Sequence, residues 1–196
     1  MIKLITLLEN RILIPRNSPE ERKKTRLLSA KRSIEQCRNK PCRGDLDLSN
    51  VEVEELPDNF KVQGNLDLMN TKVTALPNNL TVEGSLILYG LRELRTLPGT
   101  IKVGESLNMN NTGVEVIEKS IQLTGNLSAR STKLTTLPEN TSIGGDLDLV
   151  DSKIETIPGD LKVEGNVFLK STPLSRRLSV EQIKQQTPGI KGSVVF

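Results

Sequence analysis

Leucine and valine recur along the chain at intervals of about 20 residues, and the polar residues between them recur in the same order. A representative unit begins at Gly64 and continues with Leu66, Leu68, Val73 and the step Leu76–Pro77. The two leucines of L-x-L stand two positions apart, so they point to the same side of a short strand. A single unit cannot bury this apolar side, and the pattern therefore predicts units that stack into a solenoid.

The repeat divides the chain into three parts. Seven units fill residues 44–174, residues 1–43 do not repeat, and residues 175–196 depart from the pattern. An open solenoid needs ends that do not stack on another molecule, so both flanking parts are predicted to be caps. The predicted fold class is a mainly β repeat solenoid with a parallel sheet of short strands, an α-helical N-terminal cap and a short C-terminal helix.

Two units depart from the consensus. The third unit has one extra residue between Leu88 and Leu94, and in the fourth Glu105 replaces the glycine and Glu118 the proline.

A hydroxyl residue usually follows the second strand leucine by three positions. It can satisfy a backbone group at the turn and, repeated, form a ladder along the stack. These residues are Thr71, Thr112, Thr132, Ser152 and Thr172.

The N-terminal cap carries helix signals. Residues 4–15 predict a short apolar element followed by an extended entry. Asn17 or Ser18 could then cap a helix that has Pro19 at its first position and ends near Cys37. Its predicted inward residues are Leu27, Leu28, Ala30 and Ile34.

The C-terminal cap combines a helix with a strand. Ser179 and Gln182 form a capping-box pattern that opens a short helix ending near Gln186. Residues 190–196 repeat the V-x-G-x-L-x-L phrase and predict an eighth strand. The edge of that strand could pair with a partner strand or a second copy, unless the preceding helix shields it.

The consensus G-x-L-x-L-x-x-T-x-V-x-x-L-P resembles the short leucine-rich repeats of bacteria, including the repeat domain of secreted ubiquitin-ligase effectors. It is more similar still to repeat proteins of bacteriophages, and the resemblance covers residues 44–174. Thr or Ser replaces the usual Asn, and V-x-G replaces the leading Leu, so leucine-rich-repeat and β-helix cross-sections both stay open. The effectors' catalytic cysteine domain has no counterpart. The phage resemblance implies an accessory role, such as blocking a host enzyme or defence complex.

Composition argues against catalysis. The chain has no histidine, which removes the commonest general base and metal ligand. Two cysteines alone cannot complete a four-ligand zinc site, and no phosphate-binding loop occurs. A calcium site at Asp47 and Asp67 would lack a dense oxygen-ligand loop. A glycosidase would need sugar-stacking aromatics, and the chain has four aromatic residues. We therefore expect no enzyme activity, no metal and no cofactor.

The N-terminus and the cysteines bear on location. The first 17 residues lack the unbroken apolar core of a signal peptide, and no window reaches the ~18 apolar residues of a membrane span. Cys37 and Cys42 are expected to be reduced thiols, with a single disulfide as the alternative. The predicted location is cytoplasmic, in the host cytoplasm if the protein is viral.

Charge is distributed unevenly. Residues 1–43 contain 12 basic and 4 acidic residues, net +8, whereas the remainder contains 15 and 20, net −5. The basic helix either packs on the acidic flank of its own solenoid or follows a phosphate backbone. The chain lacks interleaved aromatics, which argues against stacking on single-stranded bases. The candidate nucleic-acid-binding residues are Arg22, Lys23, Lys24, Arg26, Lys31 and Arg32.

The residues between and just after the strand leucines are predicted to face outward on the concave sheet. Exposed Tyr, Phe and Met anchor protein interfaces, although scattered surface apolar residues are the alternative. The acidic start of the face would meet a basic protein or imitate nucleic acid. The predicted partner is a protein, with the chain as a monomer or an edge-strand homodimer. The candidate partner-binding residues are Asp47, Asp67, Met69, Ile87, Tyr89, Asn108, Arg130, Asp148, Val150 and Phe168.

Overall fold

The structure is a computed structural model that describes residues 18–196. The element predicted over residues 4–15 lies outside this range. Residues 18–196 contain three helices, which are α1 (Pro19–Gln36), α2 (Pro173–Arg177) and α3 (Val180–Gln186). The predicted caps of α1 and α3 are confirmed. The Ser18 hydroxyl accepts from the Glu21 N–H at 3.1 Å, and Ser179 forms a capping box.

Sixteen strands of two residues each make up the solenoid. They are β1 (Leu46–Asp47), β2 (Lys61–Val62), β3 (Leu66–Asp67), β4 (Thr81–Val82), β5 (Leu86–Ile87), β6 (Thr96–Leu97), β7 (Lys102–Val103), β8 (Leu107–Asn108), β9 (Val116–Ile117), β10 (Gln122–Leu123), β11 (Leu127–Ser128), β12 (Ser142–Ile143), β13 (Leu147–Asp148), β14 (Lys162–Val163), β15 (Val167–Phe168) and β16 (Val194–Val195). Every pairing among them is parallel.

One sheet of eight strands runs the length of the molecule in the order β1-β3-β5-β8-β11-β13-β15-β16. Partner residues in neighbouring strands are 20 positions apart, as in Leu46 and Leu66, except where the extra residue of the third unit makes the step 21. The last step, from Val167 to Val194, contains α2 and α3. The predicted parallel solenoid and its eighth strand are therefore confirmed.

The opposite side of the solenoid also carries parallel strands, in two sheets of three, β2-β4-β7 and β10-β12-β14. A further pair, β6 and β9, comes from the third and fourth units and belongs to neither sheet. Strands on two sides of each unit favour the β-helix-like cross-section. The second side is interrupted between the third and fourth units, where β7 and β10 do not pair.

The core is an aliphatic column inside the stack. The strand leucines Leu66, Leu68, Leu86 and Leu88 are each 0% exposed, and the same positions are buried in the later units. Burial of each such side chain stabilises the fold by about 1.5–3 kcal/mol. Since each unit buries its leucines against those of its neighbours, a single unit taken alone would not be stable.

The hydroxyl residues satisfy backbone groups as predicted, but they do not form a ladder. The Oγ1 of Thr71 donates to the carbonyl of Leu68 at 2.9 Å, within its own unit. Thr112, Thr132 and Thr172 make the same bond.

A different column links the units. In the residue before each strand, a side-chain oxygen accepts from the backbone N–H at the same position of the next unit, at 2.7–3.4 Å. The sequence signal is that this position is always Asp, Asn or Ser. We call these residues the polar ladder: Asp45, Asn65, Ser85, Ser106, Asn126, Asp146, Asn166 and Ser193.

Helix α1 covers the first unit through a narrow strip. Ala30 is buried and Leu27 and Ile34 are partly buried against the core, but Leu28 is 50% exposed, so its predicted inward position is wrong. Cys37 and Cys42 form a disulfide, which corrects the expected reduced thiols. The bond ties the end of α1 to the chain where Cys42 bridges to Val62.

The C-terminal end of the stack contains one helix that was not predicted. Thr172 caps α2, accepting from the Ser175 N–H at 3.1 Å, and Pro173 occupies the first helical position. Ile183 of α3 is buried against the last unit. Among the described helices none is both long enough and apolar enough to cross a membrane.

Candidate functional site: the outer face of the eight-stranded sheet

The outer face of the eight-stranded sheet, here called the strand face, carries one residue from each L-x-L step. The register places these eight residues side by side, as predicted, because each is the direct partner of the next. In order they are Asp47, Asp67, Ile87, Asn108, Ser128, Asp148, Phe168 and Val195.

The acidic and amide residues of this row have a structural role that the sequence analysis missed. Each turns its side-chain oxygen onto the backbone N–H two residues later, at 2.8–3.1 Å, and so holds the chain at the corner after the strand. The pairs are Asp47 with Ser49, Asp67 with Met69, Asn108 with Asn110, and Asp148 with Val150.

Asp47 shows the electrostatic result. The hydroxyl and the backbone N–H of Ser49 bind its carboxylate, and together with Arg26 they lower the pKa of Asp47 below the usual range for aspartate. Asp67 lies beside it in the adjacent strand, and its carboxylate likewise accepts from a backbone N–H. Backbone hydrogen bonds therefore compensate these adjacent like charges within the fold.

Asp148 and Arg130 form an ion pair, with Arg130 Nε 3.1 Å from Asp148 Oδ2. Arg130 also donates its backbone N–H to the side chain of Asn110 at 2.7 Å, and Ser128 donates its hydroxyl to the same oxygen at 2.8 Å. The polar middle of the strand face is thus an internal network, and it holds the sheet surface in one arrangement.

The apolar residues near the start of the face lie together. Tyr89 is 37% exposed and Ile87, two residues earlier, is partly exposed. Met69 occupies the position equivalent to Tyr89 in the neighbouring unit, where the Asn70 N–H donates to the Tyr89 carbonyl at 3.0 Å. We call Met69, Ile87 and Tyr89 the central patch.

Val150 does not belong to the exposed face. It is 8% exposed, so its predicted outward position is wrong. Val150 lies two residues past the end of β13, where exposure differs between units: Tyr89 and Arg130 are exposed at the equivalent position, whereas Val150 is buried. Ser49, at the equivalent position of the first unit, is also buried.

A second apolar patch lies at the C-terminal edge of the sheet. Phe168 is the direct partner of Val195, and Val195 and Phe196 are each 42% exposed. Within residues 18–196, β16 pairs with β15 alone, so its outer side has no neighbouring strand. The sequence analysis placed Phe168 here but did not single out Phe196. We call Phe168, Val195 and Phe196 the edge patch.

Two of the six candidate basic residues of α1 contact the solenoid. Lys23 Nζ lies 2.8 Å from Glu52 Oε1, and this contact together with Lys72 lowers the pKa of Glu52. Arg26 donates from Nη2 to the Ser49 carbonyl at 3.1 Å.

The other four candidate basic residues of α1 make no ion pair with the solenoid. They are exposed, and within the described part of the chain none of them has an ion-pair partner: Arg22, Lys24, Lys31 and Arg32.

The described residues contain no group of three His, Cys, Asp or Glu side chains that could hold a metal ion. The strand face combines polar residues that hydrogen-bond within the fold with two exposed apolar patches. No protein-family model, curated protein or solved structure matches the chain.

Proposed function

We propose that this chain is a non-catalytic protein-binding module and that the strand face is its binding surface. The central patch carries the proposal. Its polar neighbours already hydrogen-bond within the fold, so apolar side chains are the groups left to gain from contact with a partner. Tyrosine and methionine are enriched in the cores of protein interfaces, and here they stand on a rigid sheet that loses little entropy on binding.

The edge patch extends the same surface. A partner strand could add to the open side of β16 and pack its side chains on Val195 and Phe196. The partner can be another protein or a second copy of this chain, which would give an edge-strand homodimer.

A finer proposal follows from the resemblance to phage repeat proteins. A rigid binder of this kind suits stoichiometric inhibition of a host enzyme or defence complex in the host cytoplasm, and an assembly adaptor is the competing role. Activity of the captured partner, measured with and without this chain at equal concentration, distinguishes inhibition from scaffolding.

Site-specific photo-crosslinking tests the binding surface. A photo-reactive residue at Tyr89 is compared with the same residue at Val116, which is 50% exposed and lies on β9, outside the strand face. We expect one protein to crosslink at Tyr89 and not at Val116, and Ile87→Ser to weaken that crosslink. Equal crosslinking at both positions would contradict the proposal.

Nucleic-acid binding is the second candidate, supported by the four unpaired basic residues of α1. Lysine and arginine contacts to phosphates release counterions, so the affinity would fall steeply with salt. The test titrates DNA and RNA at two salt concentrations against Lys24→Ala/Lys31→Ala/Arg32→Ala. Lys153→Ala, an exposed lysine on the solenoid, is the control. Tight binding that only the triple variant loses would favour nucleic-acid binding. Weak binding that is equal for the unchanged protein, the triple variant and Lys153→Ala would exclude it.

A further inference from the structure

On the side of the solenoid opposite the eight-stranded sheet, the strand pairing is interrupted between the third and fourth units. This interruption opens the solenoid wall there. Strands β7 and β10 do not pair, although their counterparts pair in both neighbouring sheets. The backbones stay joined at one end, where the N–H and the hydroxyl of Thr124 both donate to the Gly104 carbonyl, at 3.3 and 2.8 Å. At the other end, Ile101 and Gln122 lack the backbone hydrogen bond that joins Ile121 to Ser142 in the next unit at 2.9 Å.

Both irregular units contribute to this opening. The third unit has 21 residues, so its strand β7 begins one residue later than the consensus. The fourth has Glu118 where the consensus has proline, and the Glu118 carboxylate accepts from the Gly99 N–H at 2.9 Å. Strands β6 and β9 pair with each other next to this contact, so these two units are joined by a strand pair at the adjacent corner and not at the wall itself.

Burial shows that the wall is open. Ile101 and Val103 are partly exposed, whereas Leu80 and Val82, at the same positions of the preceding unit, are 0% and 1% exposed. Ile121 is also partly exposed, while Thr141 at the same position of the next unit is fully buried.

The side chains of Ile101, Val103 and Ile121 line a cavity of about 230 Å³, here called the seam cleft. An engineered apolar cavity of about 150 Å³ is large enough to take up benzene. The seam cleft therefore has room for a short aliphatic chain or a single ring. Its apolar lining includes Leu97, Ile101, Val103, Ile117, Ile121 and Leu123.

Two lysines stand at the rim of the cleft. Lys102 and Lys119 are exposed, and neither forms an ion pair with any residue in the described range. The alkyl part of Lys119 lies across Gly99, where a Cβ would come within 2.6 Å of its Cγ. The nearby Glu118 carboxylate accepts the Gly99 N–H. Since neither lysine has an ion-pair partner among the described residues, both ammonium groups are available to an anion.

We infer that the seam cleft binds a small amphiphilic anion: an aliphatic chain that ends in one carboxylate. The chain fills the apolar cavity, and the carboxylate lies between the ammonium groups of Lys102 and Lys119. This site is separate from the strand face and does not rest on the proposed protein-binding function.

An NMR titration with octanoate tests the inference. Octan-1-ol and octylammonium contain the same number of carbon atoms as octanoate. The first has no charge, and the second has the opposite charge. Octanoate is expected to shift amide signals of residues 97–103 and 117–123 and to bind more tightly than either analogue. Lys102→Glu/Lys119→Glu is expected to weaken octanoate binding about tenfold, as two partly screened ion contacts would give.

Lys162→Glu is the matched control, because Lys162 holds the position of Lys102 in a regular unit whose wall is closed. This variant should bind octanoate as the unchanged protein does. Urea unfolding of each variant separates loss of binding from loss of the fold. Equal affinity for octylammonium, shifts spread over the whole chain, equal weakening by Lys162→Glu, or no octanoate binding would each overturn the inference.

Discussion

The side chain of Asn126 fills the space in front of Gly145, and its Oδ1 accepts the backbone N–H of Asp146 at 2.7 Å. The contact is one step of the polar ladder, and it explains why glycine precedes the ladder residue in every unit except the fourth, which has Glu105. A Cβ at Gly145 would clash with the side chain that joins the two units.

Changing Gly145 tests this step. Gly145→Ala is expected to lower the free energy of unfolding by about 1–3 kcal/mol through overpacking. Asn126→Ala should cost about 1–2 kcal/mol through the lost hydrogen bond. In the double variant the smaller side chain makes room for the Cβ, so the combined loss should fall short of the sum by about 1 kcal/mol. Urea unfolding measures all three, and strict additivity would show that the two residues do not interact.

Two buried threonines make a matched pair. Thr187 is fully buried, and its hydroxyl has no hydrogen-bond partner among residues 18–196. Thr187→Val should therefore leave stability unchanged or raise it by up to about 1 kcal/mol. Thr172 donates to the Leu169 carbonyl at 2.8 Å and caps α2, so Thr172→Val should cost about 1–2 kcal/mol. Thermal unfolding compares them, and equal losses would contradict the assignment.

The disulfide between Cys37 and Cys42 predicts a dependence on reductant. It closes a very short loop, for which the chain-entropy estimate is about 2 kcal/mol of stability. We expect dithiothreitol to lower the urea midpoint of the unchanged protein and to leave Cys37→Ala/Cys42→Ala unaffected. A midpoint that does not move, with both thiols found free by alkylation and mass spectrometry, would show that the bond does not form in solution.

Asp47 predicts an acid-dependent contribution. Hydrogen bonds from Ser49 lower its pKa in the folded state, with a smaller effect of Arg26. The stabilisation is therefore present above the ordinary aspartate pKa and is lost as the pH falls through the lowered value. Carboxyl NMR titration should show Ser49→Ala raising the Asp47 pKa more than Arg26→Ala does. The reverse order would mean that charge, not hydrogen bonding, dominates.

Much of the architecture was predictable because one pattern recurs at every level. The L-x-L step determines which residues are inward, and the 20-residue spacing determines the register, so the partnership of Leu46 with Leu66 follows from the sequence. The caps of α1 and α3 were also readable, since Ser18 and Ser179 act through local hydrogen bonds. The sequence also contains the signal for α2, since Thr172 and Pro173 fit the N-cap and the first helical position. Thr172 equally fits the hydroxyl position of the seventh unit, so this helix was not predicted.

The candidate site was predictable only where the strands are regular. The direction of Phe168 follows from alternation, whereas Val150 lies past the end of its strand, at a position that is exposed in some units and buried in others. Leu28 is exposed because α1 contacts the first unit over a strip narrower than its apolar side. The disulfide depends on where the chain turns after α1, which the spacing of Cys37 and Cys42 alone does not specify.

The eight-stranded sheet is continuous from β1 to β16, while the opposite wall is broken at one level. At that level the third and fourth units are joined on the opposite side only by the β6–β9 pair and by hydrogen bonds such as those from Thr124 to Gly104, not by a pair between β7 and β10. Bending there would open or close the gap between β7 and β10, with the continuous sheet as the hinge line. The units on either side of the gap, with the central patch on one side and the edge patch on the other, would then change their relative angle as the gap is filled or emptied.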